Sequence, residues 1–408
     1  MLGLPHRSRL THLGLLGLCA MLLCGVIGAG PSRAGDITFW DKPRSGTNAF
    51  NRVQTEAWFQ AANELGVSWV RLAFDKWQSE ERDFLLGDAD RYDGLVAADL
   101  ERLVQTLDWA AAHRLKVVIA PLSLPGLRWR QNNGGQVDDR LWRDRAFWGQ
   151  AKAYWRDLAQ VLAGHPAIAA YNIVNEPAPE RGTGIAEHTR PGDVARFQPW
   201  YEAHRGGTAD LYVFYQEVIA AIREVDRETP IMVDAGWYAQ PGAFTYWPAP
   251  LADDKVLYAF HMYEPYAFTS GSNFREKNGL RYPGEVPFGD TPVIWNKAQS
   301  IRYLAPLFDW AEAQGIPPTH LIAGEFGCMR RNAGCQSYLK DVIDLFDARG
   351  IHWAFYAFRE DEWDGYDYEA GTGALPWAYW QAVERGEKPE VPRQNTPLFD
   401  VIRTRLHR

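Results

Sequence analysis

Two glutamates stand in sequence surroundings that suit acid–base chemistry. Glu176 follows an apolar stretch that delivers an amide and a carboxylate side by side, in the run Asn175–Glu176–Pro177, and Glu325 follows a second apolar stretch. A carboxylate directly after a buried strand costs free energy unless it has a partner or a function. If their environments separate their pKa values, one of two such groups can act as an acid and the other as an ionised nucleophile. Alone, Asn175 and Glu176 could equally cap the next loop. A catalytic role requires that the fold bring Glu176 and Glu325 together.

The rest of the chain alternates between apolar strands and amphipathic helices. Strands are predicted at residues 46–50, 67–72, 116–120, 167–174, 231–233, 256–260, 321–323 and 352–358. Helices are predicted at residues 55–65, 95–114, 145–162, 209–225, 298–314, 336–349 and 398–406. Strands that are buried on both faces and joined by helices are parallel. The pattern therefore predicts an α/β fold, a single (β/α)8 TIM barrel, as one catalytic domain over residues 35–408.

Two long loops are expected at the face of the barrel where active sites form. Residues 177–207 follow the fourth strand and residues 263–292 follow the sixth. The glycine-rich fingerprint of a dinucleotide-binding sheet is absent after the first strand, which argues against an open nucleotide-binding fold.

Polar and aromatic residues gather at the predicted strand ends, which meet at one mouth of a barrel. Taken alone, Arg71 could be a barrel-rim ion pair and His261 a core histidine. Together with two glutamates on the fourth and seventh strands, they are hard to explain by stability. In strand order the set comprises Arg71, Asn175, Glu176, Trp237, His261, Tyr263, Glu325 and Tyr356.

Two facing carboxylates suit retaining glycoside hydrolysis, in which one donates a proton and the other attacks from about 5–5.5 Å away. We expect Arg71 to keep Glu325 ionised and Tyr263 to orient it. Burial would raise the pKa of Glu176. Asn175 could hydrogen-bond the 2-hydroxyl group of the sugar.

The strand-end motifs resemble those of glycoside hydrolase family 5, the cellulase family. The resemblance rests on Arg71, the Asn-Glu-Pro run at 175–177, His261 with Tyr263, and Gly-Glu-Phe-Gly at 324–327. It extends from Gly46 to about Phe358. It implies that Glu176 is the acid/base and Glu325 the nucleophile, on an oligo- or polysaccharide such as a cellulose-like β-glucan. It implies no cofactor and no metal.

The sequence departs from the family pattern at two places around the reacting sugar. The family usually has a histidine near the end of strand three, where residues 119–123 here read Ile-Ala-Pro-Leu-Ser. It usually ends strand eight with a tryptophan, where this chain has Tyr356; Trp353 or Trp363 could take its place. These departures leave the reaction type standing and the identity of the sugar open.

The chain contains 18 Trp, more than an ordinary core needs. Indole rings stack on the C–H faces of sugars, so some of them are candidates for substrate binding, although each could equally be core. The candidates are Trp129, Trp200, Trp237 and Trp363, of which Trp237 is favoured because it directly follows the fifth strand. The acidic run at residues 360–367 matches no calcium loop and is interpreted as a solvated loop or a wall of the substrate site.

Charge and the N-terminus suggest where the protein acts. A net charge of −8 argues against nucleic acid or an anionic membrane as partner. His6, Arg7 and Arg9 precede an apolar run at 13–27, and small residues end at Ala34. This predicts a cleaved signal peptide at residues 1–34, with a retained membrane anchor as the alternative. We expect a monomer, secreted or periplasmic, without membrane contact after cleavage.

Two cysteines, Cys328 and Cys335, remain after that cleavage. Close in sequence in an exported chain, they predict a disulfide. A metal site would need more cysteine or histidine residues nearby than the sequence has.

Other functions stay open at this point. One is a mannan-directed or exo-acting enzyme, or a transglycosylase, on the same barrel. Another is a non-catalytic carbohydrate-binding accessory protein of polysaccharide export, against which the intact glutamate pair weighs. A metal-dependent hydrolase would need clustered histidines and aspartates at the strand ends, and only His261 is there.

Overall fold

A closed parallel barrel organises the chain, in a computed structural model that describes residues 36–185, 193–361, 363–387 and 389–406. The predicted signal peptide lies outside the described residues. Eight strands follow one another around the barrel in chain order, and the last pairs with the first, Ala354 beside Gly46. This confirms the predicted (β/α)8 fold. The strands are β1 (Ser45–Ala49), β2 (Trp69–Leu72), β3 (Lys116–Ile119), β4 (Ile168–Asn172), β5 (Ile231–Asp234), β6 (Val256–Met262), β7 (Leu321–Phe326) and β8 (His352–Phe355).

Helices pack around the barrel at the positions that the apolar periodicity predicts. The first begins after Thr55, whose hydroxyl accepts a hydrogen bond from the Trp58 N–H (3.3 Å), and ends at Gly66, whose φ of 98° suits glycine. Only short helical turns, Gly236–Ala239 and Pro241–Phe244, follow β5 in the described chain. The helices of seven or more residues in the described ranges are Glu56–Leu65, Ala97–Ala112, Arg145–Leu162, Phe197–His204, Leu211–Arg223, Lys297–Ala313, Cys335–Arg349, Trp377–Glu384 and Pro397–Arg403. No helix in the described ranges is long and apolar enough to cross a membrane.

The two long loops contain secondary structure of their own. Residues 177–207 include the helix Phe197–His204, and residues 186–192 of this loop lie outside the described ranges. The loop after β6 carries short helices and then an antiparallel hairpin, in which Gly284–Phe288 pairs with Thr291–Trp295. Pro287 and Pro292 face each other in this hairpin. Because proline normally argues against a strand, the sequence pattern did not reveal it.

Trp40 closes the end of the barrel opposite the two glutamates. It lies on the short helix Ile37–Trp40, and its indole N–H donates to the carbonyl oxygen of Ala169 over 3.1 Å. Its ring meets the rings of Trp69 and His352 edge to face, at 5.2 and 4.9 Å. The carboxyl ends of the strands are therefore the open face of the barrel.

Candidate active site

The barrel brings the two predicted glutamates together at its open face. Glu325 is part of β7, and Glu176 follows the end of β4. Side-chain atoms of Glu176, His261 and Glu325 all lie within 4.8 Å of one another. The two glutamates are far apart in the sequence, so the closed sheet is what places their carboxyl groups together.

Glu325 is buried and held at both carboxyl oxygens. Oε1 accepts a hydrogen bond from Nη1 of Arg71 (2.7 Å), and Oε2 accepts one from the hydroxyl of Tyr263 (2.9 Å). Burial raises the pKa of Glu325 above its ordinary value, and the nearby positive charges of His261 and Arg71 lower it without cancelling that rise. Arg71 thus acts in the direction the sequence analysis expected, but burial outweighs it.

Arg71 is fully buried and serves several partners besides Glu325. Its Nη2 donates to Oδ1 of Asn175 (2.7 Å) and to Oδ2 of Asp234 (3.2 Å). Its Nε and Nη2 both donate to Oδ1 of Asn172, at 2.9 and 2.7 Å. The guanidinium group therefore divides its charge between two buried carboxylates, Asp234 and Glu325.

Glu176 occupies an unusual backbone conformation. Its φ is 49°, in the left-handed region that non-glycine residues rarely adopt. Its backbone N–H donates to Oδ2 of Asp234 over 3.0 Å. The side chain is 32% exposed, and Oε1 lies 2.8 Å from Nδ1 of His261. Glu176 is thus the more solvent-accessible carboxylate of the pair.

His261 lies at the centre of the three carboxylates. Its Nδ1 faces Glu176 and is 3.9 Å from Glu325, while Nε2 is 3.6 Å from Oδ2 of Asp234. Burial lowers the pKa of His261, but the charges of Glu325, Asp234 and Glu176 together raise it above its ordinary value. A β-carbon at Gly324 would lie 3.2 Å from Nε2 of His261, so this glycine leaves room for the ring.

Three buried polar residues of this network were missed by the sequence analysis. Asp234 is the last residue of β5, one position beyond the predicted end of that strand. Asn172 donates from Nδ2 to Oδ1 of Asp234 (2.9 Å), and Asn48 donates from Nδ2 to the Gly324 carbonyl oxygen (3.0 Å). The rule that selected Glu325, a carboxylate at the end of an apolar strand, would also have found Asp234.

An aromatic cavity of about 440 Å³ contains both glutamates. Tyr356 forms part of its wall and meets the rings of Phe50 and Tyr366 edge to face, each at 5.5 Å. Trp353 is buried against Phe326 and does not replace the expected tryptophan. The other aromatic residues that line this cavity are Trp129, Tyr263, Tyr266 and Trp363.

The first cavity is lined by residues from both segments where the sequence departs from the family pattern. Leu122, from the segment where a histidine was expected, lines the cavity with an apolar side chain. Burial and the negative charge of Glu360 raise the pKa of the Tyr356 hydroxyl. Glu360 forms an ion pair with Lys76 at 3.1 Å. Glu360 belongs to the acidic run that the sequence analysis interpreted as a loop or a wall.

A second cavity of about 310 Å³ lies on the other side of Glu176. Trp237 and Tyr238 line it together with His261 and Tyr303, whereas Glu325 lines only the first cavity. Glu176, Tyr263 and Tyr266 line both.

Trp200 lines neither cavity. It is buried, stacks on His204 and packs against Tyr246, so of the two roles left open for this tryptophan, sugar binding and core packing, the structure supports core packing.

The cluster of Glu176, His261 and Glu325 has enough ligand atoms for a metal ion by count alone. The guanidinium of Arg71, 2.7 Å from Glu325, and the raised pKa of His261 place positive charge where the metal would bind. Electrostatic repulsion therefore makes this a poor cation site.

Behind β7, Cys328 and Cys335 lie side by side with their Cα atoms 5.7 Å apart. This separation is in the range that a disulfide requires.

A parallel barrel with paired carboxylates after β4 and in β7 has the architecture of the barrel glycoside hydrolases. The sequence model of the cellulase family, glycosyl hydrolase family 5, matches residues 37–362. The chain therefore belongs to this family and is a glycoside hydrolase.

Relatives of the chain include proteins named as a glucan glucosidase and as an endoglucanase. It is 25% identical over 354 residues to a probable glucan 1,3-beta-glucosidase A of Emericella nidulans, covering 80% of this chain and 77% of that protein. It is 24% identical over 342 residues to endoglucanase C of Acetivibrio thermocellus, covering 78% and 88%. The crystal structure of endoglucanase Cel5A from Thermotoga maritima shares the fold, with a TM-score of 0.59 at 17% identity, covering 81% of this chain and 94% of that one.

Proposed function

We propose that this protein is a retaining β-glycosidase that hydrolyses a β-linked glucan by double displacement. The observation that carries the proposal is the placement of Glu176 and Glu325, with carboxyl oxygens within 4.8 Å in an aromatic cavity. Retaining enzymes hold their carboxyl groups about 5–5.5 Å apart, whereas inverting enzymes hold them about 6.5–9.5 Å apart to admit a water molecule. The short separation supports direct attack by one carboxylate.

In the first step, Glu325 attacks the anomeric carbon. The bond from that carbon to the leaving oxygen breaks, and Glu176 gives its proton to that oxygen. Arg71 and Tyr263 fix the two oxygens of Glu325, which keeps the attacking carboxylate in one orientation. Oδ1 of Asn175 accepts from Arg71, which leaves the amide N–H groups of Asn175 as donors for a sugar hydroxyl.

In the second step, Glu176 acts as the base for a water molecule that releases the sugar from Glu325. His261 supports both states of Glu176, because its Nδ1 lies 2.8 Å from Oε1 and a proton can move between them. With the proton on His261, Glu176 is ionised and is ready to act as a base. With the proton on Glu176, the carboxyl group is ready to act as an acid.

A glucan is the favoured substrate because the matched relatives include a glucosidase and an endoglucanase named for glucans. Aromatic rings in the first cavity suit the C–H faces of a pyranose. The two cavities on either side of Glu176 support binding of sugars on both sides of the cleaved bond.

The test is a panel of β-1,3-glucan, β-1,4-glucan, mannan, xylan and aryl β-glycosides. We expect turnover on at least one glucan, and the first anomer detected by NMR should be the β-anomer. Turnover on mannan alone would favour the mannan-directed alternative. Binding without release of reducing ends would favour the accessory-protein alternative, and an inverted product would exclude Glu325 as nucleophile.

We further propose that the mature enzyme is an exported monomer with a Cys328–Cys335 disulfide. The basic and apolar N-terminal residues support export, and the proximity of the two cysteines supports the disulfide. N-terminal sequencing of the processed protein should begin at Gly35. Mass spectrometry without reduction should find the two cysteines in one linked peptide.

A further inference from the structure

The backbone after β5 adopts a conformation that needs support from elsewhere. Trp237 has φ 47° and ψ 54°, Tyr238 has φ 58° and ψ 46°, and Ala239 has φ 61°. The left-handed region is strained for residues other than glycine, and three such residues in succession are rarely tolerated. We call residues 237–239 the left-handed turn. Its first two residues line the second cavity.

A buried carboxyl group holds this turn from behind. Glu180 is fully buried, and its Oε2 accepts a hydrogen bond from the backbone N–H of Trp237 (3.0 Å). Its Oε1 accepts one from the hydroxyl of Tyr246 (2.7 Å). A β-carbon at Gly236 would lie only 1.9 Å from Oε1 of Glu180, so only glycine permits this approach. The side chain of Glu180 thus packs directly against the backbone at Gly236 and Trp237.

The same segment connects the left-handed turn to Glu176. Glu180 lies four residues beyond Glu176, and the Tyr238 N–H donates to the carbonyl oxygen of Pro177, which directly follows Glu176. The loop after β4 therefore carries both the proposed acid and two anchors of the opposite cavity wall. A change in this loop would move the acid and the wall together.

Glu180 is costly for stability alone. No cationic side chain in the described part of the chain forms an ion pair with it, and burial raises the pKa of Glu180 to about 7. A buried carboxyl group without a positive partner costs free energy that a neutral or apolar residue would not. The free-energy cost of burying Glu180 points to a functional role. The hydrogen bonds of Glu180 fix the shape of the second cavity.

The second cavity lies on the leaving-group side of the scissile bond. Glu325 must reach the anomeric carbon and lines only the first cavity, whereas Glu176 must reach the leaving oxygen and lines both. The sugar beyond that oxygen then falls in the second cavity.

We infer that Glu180 is a positioning residue that fixes the left-handed turn and thereby shapes the binding site for the leaving-group sugar. The inference rests on the proposed function. It concerns binding on one side of the bond and leaves the nucleophile and its attack untouched.

Kinetics with two kinds of leaving group test this inference. An oligosaccharide fills both cavities, whereas a glycosyl fluoride of the same sugar has a one-atom leaving group and needs only the first. We expect Glu180→Ala to lower kcat/KM at least tenfold on the oligosaccharide, chiefly through KM, and less than twofold on the fluoride. Glu180→Gln can still accept from the Trp237 N–H and should retain most of the oligosaccharide activity. Equal losses on both substrates, or none on either, would overturn the inference.

A second variant keeps the test decisive if Glu180→Ala does not fold. Tyr246→Phe removes one hydrogen bond to Glu180 but keeps the ring that stacks on Tyr201 at 5.3 Å. Tyr246→Phe should lower kcat/KM on the oligosaccharide by a smaller factor than Glu180→Ala does, and should leave kcat/KM on the fluoride unchanged. The same change in kcat/KM on both substrates would count against the role of Glu180.

Binding separates failure of this inference from failure of the proposed function. In a Glu325→Gln background, calorimetry with the same oligosaccharide should show about tenfold weaker binding when Glu180→Ala is added and a smaller loss of affinity when Tyr246→Phe is added. If the wild type turns over neither substrate, the proposed function fails, and this binding comparison still decides the role of Glu180. Unchanged affinity would refute that role.

Discussion

The carboxylate of Asp234 accepts a hydrogen bond from the backbone N–H of Glu176 over 3.0 Å. The last residue of β5 thereby holds the residue that we propose as the acid/base. The same Oδ2 atom accepts from Arg71 at 3.2 Å and lies 3.6 Å from Nε2 of His261. One buried carboxylate thus connects the proposed acid, its histidine partner and the arginine that binds the proposed nucleophile.

Replacing Asp234 by alanine should damage both stability and activity. Arg71 would keep a buried charge with one fewer partner, and the Glu176 N–H would lose its acceptor. Breaking a buried ion pair costs about 3–5 kcal/mol, and urea unfolding should find a loss of that order. The left-handed backbone at Glu176 would relax, so kcat should fall about a hundredfold, since a small misplacement of a catalytic group can cost that much.

The exposed ion pair of Asp139 with Arg143 offers a matched control for that experiment. Its side chains are 31% and 60% exposed, and neither residue lines either cavity. Asp139→Ala should cost about 1 kcal/mol or less and leave kcat unchanged. Equal effects of the two substitutions would show that Asp234 has no special place in the site.

The two glutamates should respond differently to substitution. Glu325→Gln should lower turnover by about a thousandfold or more, since a loss of roughly 4 kcal/mol in transition-state stabilisation has that effect. Glu176→Ala should slow both steps on a substrate with a poor leaving group, and added azide should restore part of the rate on an activated aryl glycoside. The azide product should be the β-glycosyl azide, identified by NMR. Full activity in either variant would contradict the assigned roles.

The pKa of His261 gives the protein a pH-dependent stability. Its folded-state pKa lies above its ordinary value, so the folded protein binds this proton more tightly than the unfolded chain does. The resulting stabilisation is complete below about pH 6.5, the ordinary value, and is lost as the pH rises through the folded-state pKa.

Urea unfolding between pH 5.5 and 8.5 should therefore show the wild type losing stability with rising pH more steeply than His261→Asn. Parallel curves would show that His261 does not bind a proton more tightly in the folded protein. Glu325 also has a raised pKa and adds its own fall in stability with rising pH.

Tyr356 should matter chiefly for binding of the reacting sugar. Its ring lines the first cavity at a position where the family usually has tryptophan. Removing an aromatic contact costs about 0.5–1.5 kcal/mol beyond area burial, so Tyr356→Ala should weaken oligosaccharide binding up to about tenfold. Tyr356→Phe keeps the ring and should change affinity less than twofold, as measured by calorimetry in the Glu325→Gln background. A larger effect of phenylalanine would mean that the Tyr356 hydroxyl also contributes to binding.

Local patterns in the sequence were sufficient to predict the barrel. The helix Arg145–Leu162 has the predicted bounds, and each predicted strand overlaps an observed one. Apolar runs and helical periodicity are properties of neighbouring residues, and both are visible in a single sequence. The clustering of Arg71, Glu176, His261 and Glu325 followed from one further rule, that parallel strands of a barrel end at one face.

The missed features depend on contacts between distant parts of the chain. Asp234 is the last residue of an apolar strand. Its neighbours Arg71, Asn172 and His261 lie on three other strands, and Glu176 lies beyond the end of β4. The left-handed turn at residues 237–239 contains no glycine, so nothing in its own sequence indicates positive φ angles. Trp200 follows a charged loop and looks accessible in sequence, but the helix Phe197–His204 turns its ring inward. Such features are determined by tertiary packing, which overrides local preference.

The N-terminal segment has a practical consequence. Trp40 precedes every barrel strand, yet its indole binds β4 and its ring meets His352 of β8. It can dock only after both ends of the sheet have come together, so its docking marks the completion of the barrel. A recombinant version that starts after Asp41 would leave the floor of the barrel open to water around Trp69, and fusion partners should therefore be joined ahead of residue 36.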